Sequence, residues 1–278
     1  MSANGPPKTE RNSPISGWGI QVDGLGKGGV VLRKPAAAIG GFYATSLDSV
    51  RFAFRRPFQV REFVRQSWFI AGVCLAPTLL MSIPFCVITV FQLNQLLIEL
   101  GGADLSGAGA GLGVVREIAP LVSALVVAGS GATAICADLG ARKIREEIDA
   151  VRTLGLHPVH RLVVPRVLAA TVVALCLNGM VTLVGLLAGY VFSVYVQHAS
   201  PGLFMANLTL LVGPKDFLVS EFKAAVFGLL AGLVACHLGL TAKGGPKGVG
   251  DAVNQTVVCG FLLLFLANSL ITALFLRS

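Results

Sequence analysis

Long apolar stretches without charged side chains dominate the pattern of this sequence. A membrane-spanning helix needs about 20 consecutive apolar residues. Five stretches that lack Asp, Glu, Lys and Arg reach or approach this length, at residues 66–98, 118–137, 167–214, 224–242 and 252–276. The third is too long for one span, and the turn-forming residues at 198–202 predict that its helix ends near Gln197. The pattern predicts an all-α, polytopic membrane protein with five transmembrane helices.

The residues before the first span divide into a tail and an amphipathic segment. Residues 1–40 are polar, basic and rich in Gly and Pro, which predicts a disordered cytoplasmic tail ahead of a membrane domain at 41–278. Apolar residues then recur at helical spacing, at Tyr43, Leu47, Val50 and Phe54, with basic residues on another face. This pattern favours an interfacial helix on the inner membrane surface. The alternative is a soluble helix that packs on another subunit.

Composition and charge placement support the membrane interpretation and give an orientation. The chain is 54% hydrophobic and 13% charged, with a net charge of +8, whereas soluble domains are roughly 25% charged. Most of the 22 Lys and Arg residues precede the first span or lie at 142–166 and at 243–247. With five spans these segments share one side, so the positive-inside rule predicts a cytoplasmic N-terminus in the inner (plasma) membrane. The basic charge therefore indicates membrane topology and no nucleic-acid partner.

Motifs for catalysis, cofactors or metals are not recognisable in the sequence. A Walker A loop requires Gly-Lys followed by Ser or Thr, but Lys27 is followed by Gly28, and Lys247 is preceded by Pro246. The four histidines are scattered, and the six cysteines lie in or beside apolar runs without a CxxC pair. The sequence predicts no metal site, no cofactor and no ATP hydrolysis by this chain, and the cysteines are interpreted as small packing residues.

The loop at 137–166 carries the densest charge pattern. Ile144, Ile148 and Val151 form one apolar stripe at helical spacing. The other face holds charged residues, with Glu147 beside the stripe: Arg142, Arg145, Glu146, Asp149 and Arg152. The pattern predicts a helix over 142–154, supported by i,i+4 pairs Arg142–Glu146 and Arg145–Asp149 and ended by Gly155. Two readings stay open, a solvated loop helix and a charged helix that docks on an ATPase.

Glycines and prolines within the spans predict features of helix packing. The two Gly-x-x-x-Gly motifs, at 185–189 and 228–232, favour close helix contacts. Pro77 and Pro84 predict a bend in the first span, which either opens a lateral cavity or serves packing alone. Arg116 and Glu117 lie at the outer end of the second span. They are either an adjacent pair anchored among headgroups or the polar rim of a substrate entrance.

Several longer motifs carry a resemblance to a known family. They are REIAP at 116–120, ADLG at 137–140, EEIDA at 146–150, GLHP at 155–158, LVVPR at 162–166, FKAAVFG at 222–228 and KGGPKGVG at 243–250. The chain resembles the MlaE/YrbE permeases of MCE-type lipid ABC transporters, and the basic N-terminus is similar to actinobacterial YrbE subunits. Two positions depart from the family pattern: Asp138 stands where many relatives carry Glu, and Asn268 where the last span often carries Asp.

The resemblance implies a set of partners and roles. It implies a dimer with an identical or paralogous permease subunit, a separate cytoplasmic ABC ATPase docked on the 142–154 coupling helix, and a ring of MCE proteins outside. The implied substrate is a lipid of the fatty acid, mycolic acid or sterol type. Candidate residues for its path are Arg116, Glu117, Pro77 and Pro84. A stand-alone secondary transporter and a membrane scaffold remain alternatives. An ion-coupled transporter would need ionisable residues that line a path within the spans, and the spans contain almost none, which disfavours it.

Overall fold

A computed structural model describes residues 40–43, 45–47, 49, 51, 59–101, 106–155, 158–196 and 200–275 of the chain. Five of its helices are long and apolar enough to cross a membrane: α1 (Val60–Glu99), α2 (Gly109–Ile144), α4 (Val159–Tyr195), α6 (Pro214–Thr241) and α7 (Pro246–Phe275). Two short helices, α3 (Glu147–Thr153) and α5 (Pro201–Leu211), lie between them. The described part is all-helical, and the prediction of five spans is confirmed.

The helix ends differ from the predicted ends because the helices continue through charged residues, which were excluded from the predicted spans. The second span was expected to end at residue 137, yet α2 runs to Ile144, and α4 begins eight residues before the expected position, at Val159. Residues 201–211, expected to follow a turn, form the separate helix α5. The described residues at 40–51 are helical, as predicted. The predicted tail at 1–40 lies outside the described residues except for Gly40, which is helical.

Three helices form the interior of the bundle and two lie at its periphery. In the most apolar stretch of each helix, 61% of residues are buried in α2, 50% in α4 and 56% in α6, but only 28% in α1 and 17% in α7. Large side chains on the two peripheral helices are exposed, among them Trp68, Leu80, Leu262 and Leu266. Because the exposed side chains are apolar, lipid or another membrane subunit must cover them.

Small residues let neighbouring helices of the bundle approach closely. A Cβ atom added at Gly228 on α6 would lie 2.8 Å from the Ala170 carbonyl oxygen of α4. A Cβ atom added at Gly185 on α4 would lie 2.6 Å from the Cys86 sulfur of α1. The predicted packing role of both Gly-x-x-x-Gly motifs is therefore confirmed. Four of the six cysteines, including Cys86, are buried and free, which agrees with their interpretation as packing residues.

The buried side chains of α1 recur at every fourth residue along almost its whole length. They are Gln66, Ile70, Cys74, Thr78, Ser82, Cys86, Val90 and Asn94. The helix continues through both Pro77 and Pro84. This line of buried side chains, flanked by partly buried ones such as Phe63 and Met81, attaches α1 to the bundle.

Candidate functional sites at the two ends of the bundle

Charged side chains gather in two clusters, one near each end of α2. We call the first the α3 end, where α2 ends, α3 follows and α4 begins. We call the second the α5 end, where α2 and α6 begin near α5. Arg142 and Arg116 mark the two positions on α2, and at 1.5 Å per residue they lie roughly 40 Å apart. This separation exceeds the roughly 30 Å hydrocarbon thickness of a bilayer.

A completely buried arginine organises the α3 end. Arg166, near the start of α4, has 0% of its side chain exposed. One terminal nitrogen donates to Asp138 Oδ2 at 2.6 Å, and the other donates to the Leu162 carbonyl oxygen at 2.8 Å. Glu62 of α1 lies 4.0 Å away, and Gln66 donates to the same Glu62 oxygen at 2.9 Å. Arg166 thereby joins α4 to α2 and faces α1.

The network extends from Asp138 to α3. Arg142 Nε donates to Asp138 Oδ2 at 3.2 Å, and its guanidinium lies 3.8 Å from Glu147, the first residue of α3. Lys143 Nζ donates to the Leu240 carbonyl oxygen at 2.7 Å, which ties α2 to the end of α6. The short helix is therefore linked by charged and polar contacts to the ends of the long helices.

The predicted continuous helix over 142–154 is wrong, because the chain breaks between α2 and α3. Glu146 adopts φ 59°, a left-handed conformation that a right-handed helix cannot include. Arg142 consequently pairs with Asp138 and Glu147 instead of Glu146, and Arg145 contacts Glu147 at 2.7 Å. The break redirects α3 so that Ile148 is buried, with 3% exposed. The predicted stop is confirmed, since α3 ends at Thr153 and Gly155 has φ 73°.

The outer surface of this segment is charged. Arg145, Glu146, Glu147 and Asp149 are all exposed, and Arg152 lies in the last turn of α3. The structure thus brings most of the predicted charged residues to one surface, although in a turn and a short helix.

A buried lysine organises the α5 end. Lys223 of α6 is 1% exposed and donates to Glu117 Oε1 at 3.0 Å and to the Arg116 carbonyl oxygen at 3.1 Å. The Arg116 side chain contacts Asp216 at 2.8 Å, and Asp216 also accepts a hydrogen bond from the Gly213 amide at the start of α6. Arg116 and Glu117 therefore each pair across to α6, whereas one of the two alternatives drawn from the sequence was a pair formed by these two neighbours.

A cavity of about 670 Å³ opens beside these ion pairs. It is lined by Arg116, Glu117, Lys215, Asp216, Leu218, Val219, Lys223, Thr272 and Phe275. Its wall thus combines cations and carboxylates with apolar side chains of α6 and α7, a combination that suits an amphiphilic molecule. Pro77 and Pro84 do not line this cavity, so the structure separates them from the other two candidates for a substrate path.

Sequence reasoning gave no role to the two buried cations. Arg166 and Lys223 each stand immediately before a charge-free stretch, a position that only indicates the end of a span. Their partners, Asp138 and Glu117, are 28 and 106 residues away along the chain, so no local spacing connects them. Among the described residues, no group of three or more His, Cys, Asp or Glu side chains could hold a metal ion.

Comparison with known proteins gives a consistent result. Residues 63–274 match the protein family described as Permease MlaE. A probable ABC transporter permease protein of Rickettsia conorii is 30% identical over 245 residues, which cover 88% of this chain and 94% of that protein. One from Synechocystis is 33% identical over 177 residues, with 64% and 67% covered. The chloroplastic protein trigalactosyldiacylglycerol 1 of Arabidopsis thaliana is 30% identical over 206 residues, with 74% and 58% covered.

Proposed function

The chain belongs to the MlaE permease family, and from this premise we propose that it is the membrane subunit of an ABC transporter that moves lipids. An ABC transporter permease works with a separate ATPase. The observation that carries the proposal is a charged segment, α3 and the turn before it, attached to the membrane helices by the buried Arg166 network in a chain that matches the family over 63–274.

The ATPase docks at the α3 end in this proposal. The contact residues are Arg142, Arg145, Glu146, Glu147, Asp149 and Arg152. A force on α3 reaches Arg142 through Glu147, then Asp138 and Arg166, so both α2 and α4 respond to a movement of one short segment. Buried ion pairs suit this task because breaking one by removing a partner is costly, which keeps the elements together.

The substrate is a lipid, and its path includes the cavity at the α5 end. The cavity offers both charged and apolar walls, at Arg116 and Glu117 on one side and at Phe275 on another. One relative, the Arabidopsis protein, is named after a lipid, trigalactosyldiacylglycerol. We keep the fatty acid, mycolic acid or sterol type as the substrate class, and Pro77 and Pro84 as candidates for a bend that admits lipid from the side.

The orientation and the remaining partners complete the proposal. The α3 end faces the cytoplasm, and the protein lies in the plasma membrane, because the basic residues concentrate at that end.

The exposed apolar surface of the peripheral helices includes the contact with a second permease subunit, identical or paralogous. A ring of MCE proteins stands outside, at the α5 end. Residues 41–278 form the permease domain, of the actinobacterial YrbE type.

The docking surface is tested by reversing one charge. Glu146→Lys keeps a residue of similar size in the same backbone conformation but inverts its charge. We expect the purified complex to lose most of its ATPase subunit, measured as the ratio of the two subunits in native mass spectrometry. Glu99→Lys, an equal charge change at the exposed end of α1, is the control and should keep the ratio. An unchanged ratio in Glu146→Lys would refute docking at this surface.

Transport itself is tested with the intact complex in vesicles. Lipid that co-purifies is identified by mass spectrometry, and movement of a labelled form of that lipid between vesicles is followed with and without ATP. We expect movement that requires ATP. Movement without ATP would indicate a stand-alone transporter, and the absence of both bound lipid and movement would indicate a scaffold.

A further inference from the structure

Six exposed residues of α1 line up on one face of the helix. They are Arg61, Arg65, Trp68, Gly72, Leu75 and Leu79, and we call them the α1 strip. Their spacing alternates between four and three residues, which keeps them on the same side of an α-helix. The Arg65 side chain is 62% exposed, and Trp68 is 83% exposed. The strip thus changes along its length from cationic to aromatic to apolar.

The charge of the two arginines is only partly balanced by carboxylates. Among the residues that the structure describes, Arg61 forms no ion pair. Arg65 contacts Glu62 Oε1 at 3.1 Å. The same oxygen accepts a hydrogen bond from Gln66 at 2.9 Å and faces the buried Arg166 at 4.0 Å. One carboxylate therefore serves the interior of the bundle as well as Arg65, and the surface of the strip keeps a positive charge.

The strip begins at the edge of the membrane and continues into one leaflet. Arg65 is the last charged residue before the charge-free stretch at 66–98, so the arginines lie at the level of the headgroups. Trp68 follows one turn further, and tryptophan is enriched at the membrane–water interface. From Trp68 to Leu79 the helix rises about 17 Å, close to half of the roughly 30 Å hydrocarbon layer. The strip therefore matches one leaflet in length and in the order of its polar and apolar groups.

A phospholipid with a negatively charged headgroup is complementary to the whole strip. Arginine side chains bind phosphate oxygens through paired N–H donors. Gly72 leaves open space beside the helix, and Leu75 and Leu79 offer an apolar surface to an acyl chain. We propose that the α1 strip binds an anionic phospholipid, with its phosphate at Arg61 and Arg65 and an acyl chain along Gly72 and the two leucines.

Two protein occupants fit the strip less well than a phospholipid. An acidic surface of the cytoplasmic ATPase would pair with the arginines, but it would not reach Leu75 and Leu79 inside the hydrocarbon layer. A second copy of this chain, in a two-fold contact centred on the strip, would bring the arginines of both copies together. Repulsion between like charges opposes that contact. A phospholipid satisfies both the charge and the apolar length of the strip.

This inference goes beyond the transport proposal, because the strip lies at the α3 end, whereas the cavity proposed for the transported lipid lies at the α5 end. The bound phospholipid is connected to the buried network at the α3 end. A phosphate at Arg65 competes with Glu62 for the same guanidinium group, and Glu62 faces Arg166. Removing the charge of Glu62 should therefore strengthen headgroup binding.

The fluorescence of Trp68 tests which lipid lies on the strip. The chain has two tryptophans, Trp18 and Trp68, so Trp18→Phe in the full-length chain leaves Trp68 alone. This protein is reconstituted in phosphatidylcholine vesicles with a small fraction of brominated phosphatidylglycerol, or with the same fraction of brominated phosphatidylcholine. Bromine quenches an indole only on contact. We expect the quenching to show that phosphatidylglycerol is enriched beside Trp68 by about fivefold or more, the effect of one arginine at roughly 1 kcal/mol.

Substitutions on the strip complete the test. The double variant Arg61→Gln, Arg65→Gln should lose the enrichment, and Lys247→Gln, which removes an exposed cation at the start of α7, should keep it. Glu62→Gln should increase the enrichment, a gain that misfolding cannot produce. Equal quenching by the two lipids, an unchanged enrichment in the double variant, or no quenching by either lipid because protein covers Trp68 would each overturn the proposal. The measurements need neither ATP nor the ATPase, so their failure is distinct from that of the transport proposal.

Discussion

The α3 end and the α5 end each contain a buried cation, yet the two cations have different surroundings. Arg166 is 0% exposed and its partner Asp138 is 29% exposed, and Asp138 is shared with Arg142. Lys223 is 2% exposed by its side chain, while its partner Glu117 is 43% exposed at the edge of a cavity. The α3 end is thus a branched, closed network that links several helices. The α5 end consists of separate pairs between α2 and α6 that remain accessible to a ligand.

The largest effect is expected from removing the buried arginine. Arg166→Met keeps much of the side-chain volume but leaves Asp138 and Glu62 without their shared cation. The protein should lose about 3 kcal/mol of stability, the low end for breaking a buried pair, because Arg142 still contacts Asp138. The thermal unfolding midpoint of the purified protein in detergent measures this loss. Arg166→Lys, which retains the charge, should lose less, and an equal loss would show that the charge is unimportant.

A smaller effect is expected from the buried lysine. Lys223→Met also removes a buried cation, but the remaining Glu117 carboxylate is almost half exposed and can be hydrated. Because water stabilises the unpaired carboxylate, the expected loss of stability is only about 1–2 kcal/mol. The same unfolding measurement compares the two variants. A loss as large as that of Arg166→Met would mean that the two ends do not differ in the way their surroundings indicate.

The smallest effect is expected from an exposed pair at the α3 end. Arg145 and Glu147 are 2.7 Å apart, but they are 60% and 45% exposed. Exposed pairs contribute about 0–1 kcal/mol, so Arg145→Ala should leave the unfolding midpoint almost unchanged. A clear destabilisation would show that the α3 surface belongs to the network that Arg166 organises. Together the three variants rank buried, half-hydrated and exposed pairs within one protein.

The spans could be predicted from sequence because hydropathy alone determines them. Long stretches without charge can be satisfied in a bilayer only as helices, and all five are present. The exact ends could not be predicted in this way. Arg142 and Lys143 continue α2 beyond the apolar stretch because they find partners in Asp138 and in the end of α6.

The site could be predicted only in part, since its chemistry depends on distant contacts. The charged surface of the 142–154 segment was recognisable, but a regular pattern runs through Glu146 and gives no sign of its left-handed conformation. Likewise Arg116 and Glu117 were recognised as unusual, whereas their partners on α6 emerge only from the fold. The pairing of Glu221 with Asn178 has no sequence signal either, because it joins two spans side by side.

The spacing of the buried line on α1 has a geometric consequence. An ideal helix repeats every 3.6 residues, so positions four residues apart advance by an extra 40° or so at each step. From Gln66 to Asn94 the buried line therefore rotates through most of a full circle around the α1 axis. No single side of this helix can be labelled as its inner side. A polar label attached to each α1 position in turn should be shielded along a spiral path. That path contacts α2 near Gly131 and, further along α1, α4 near Gly189.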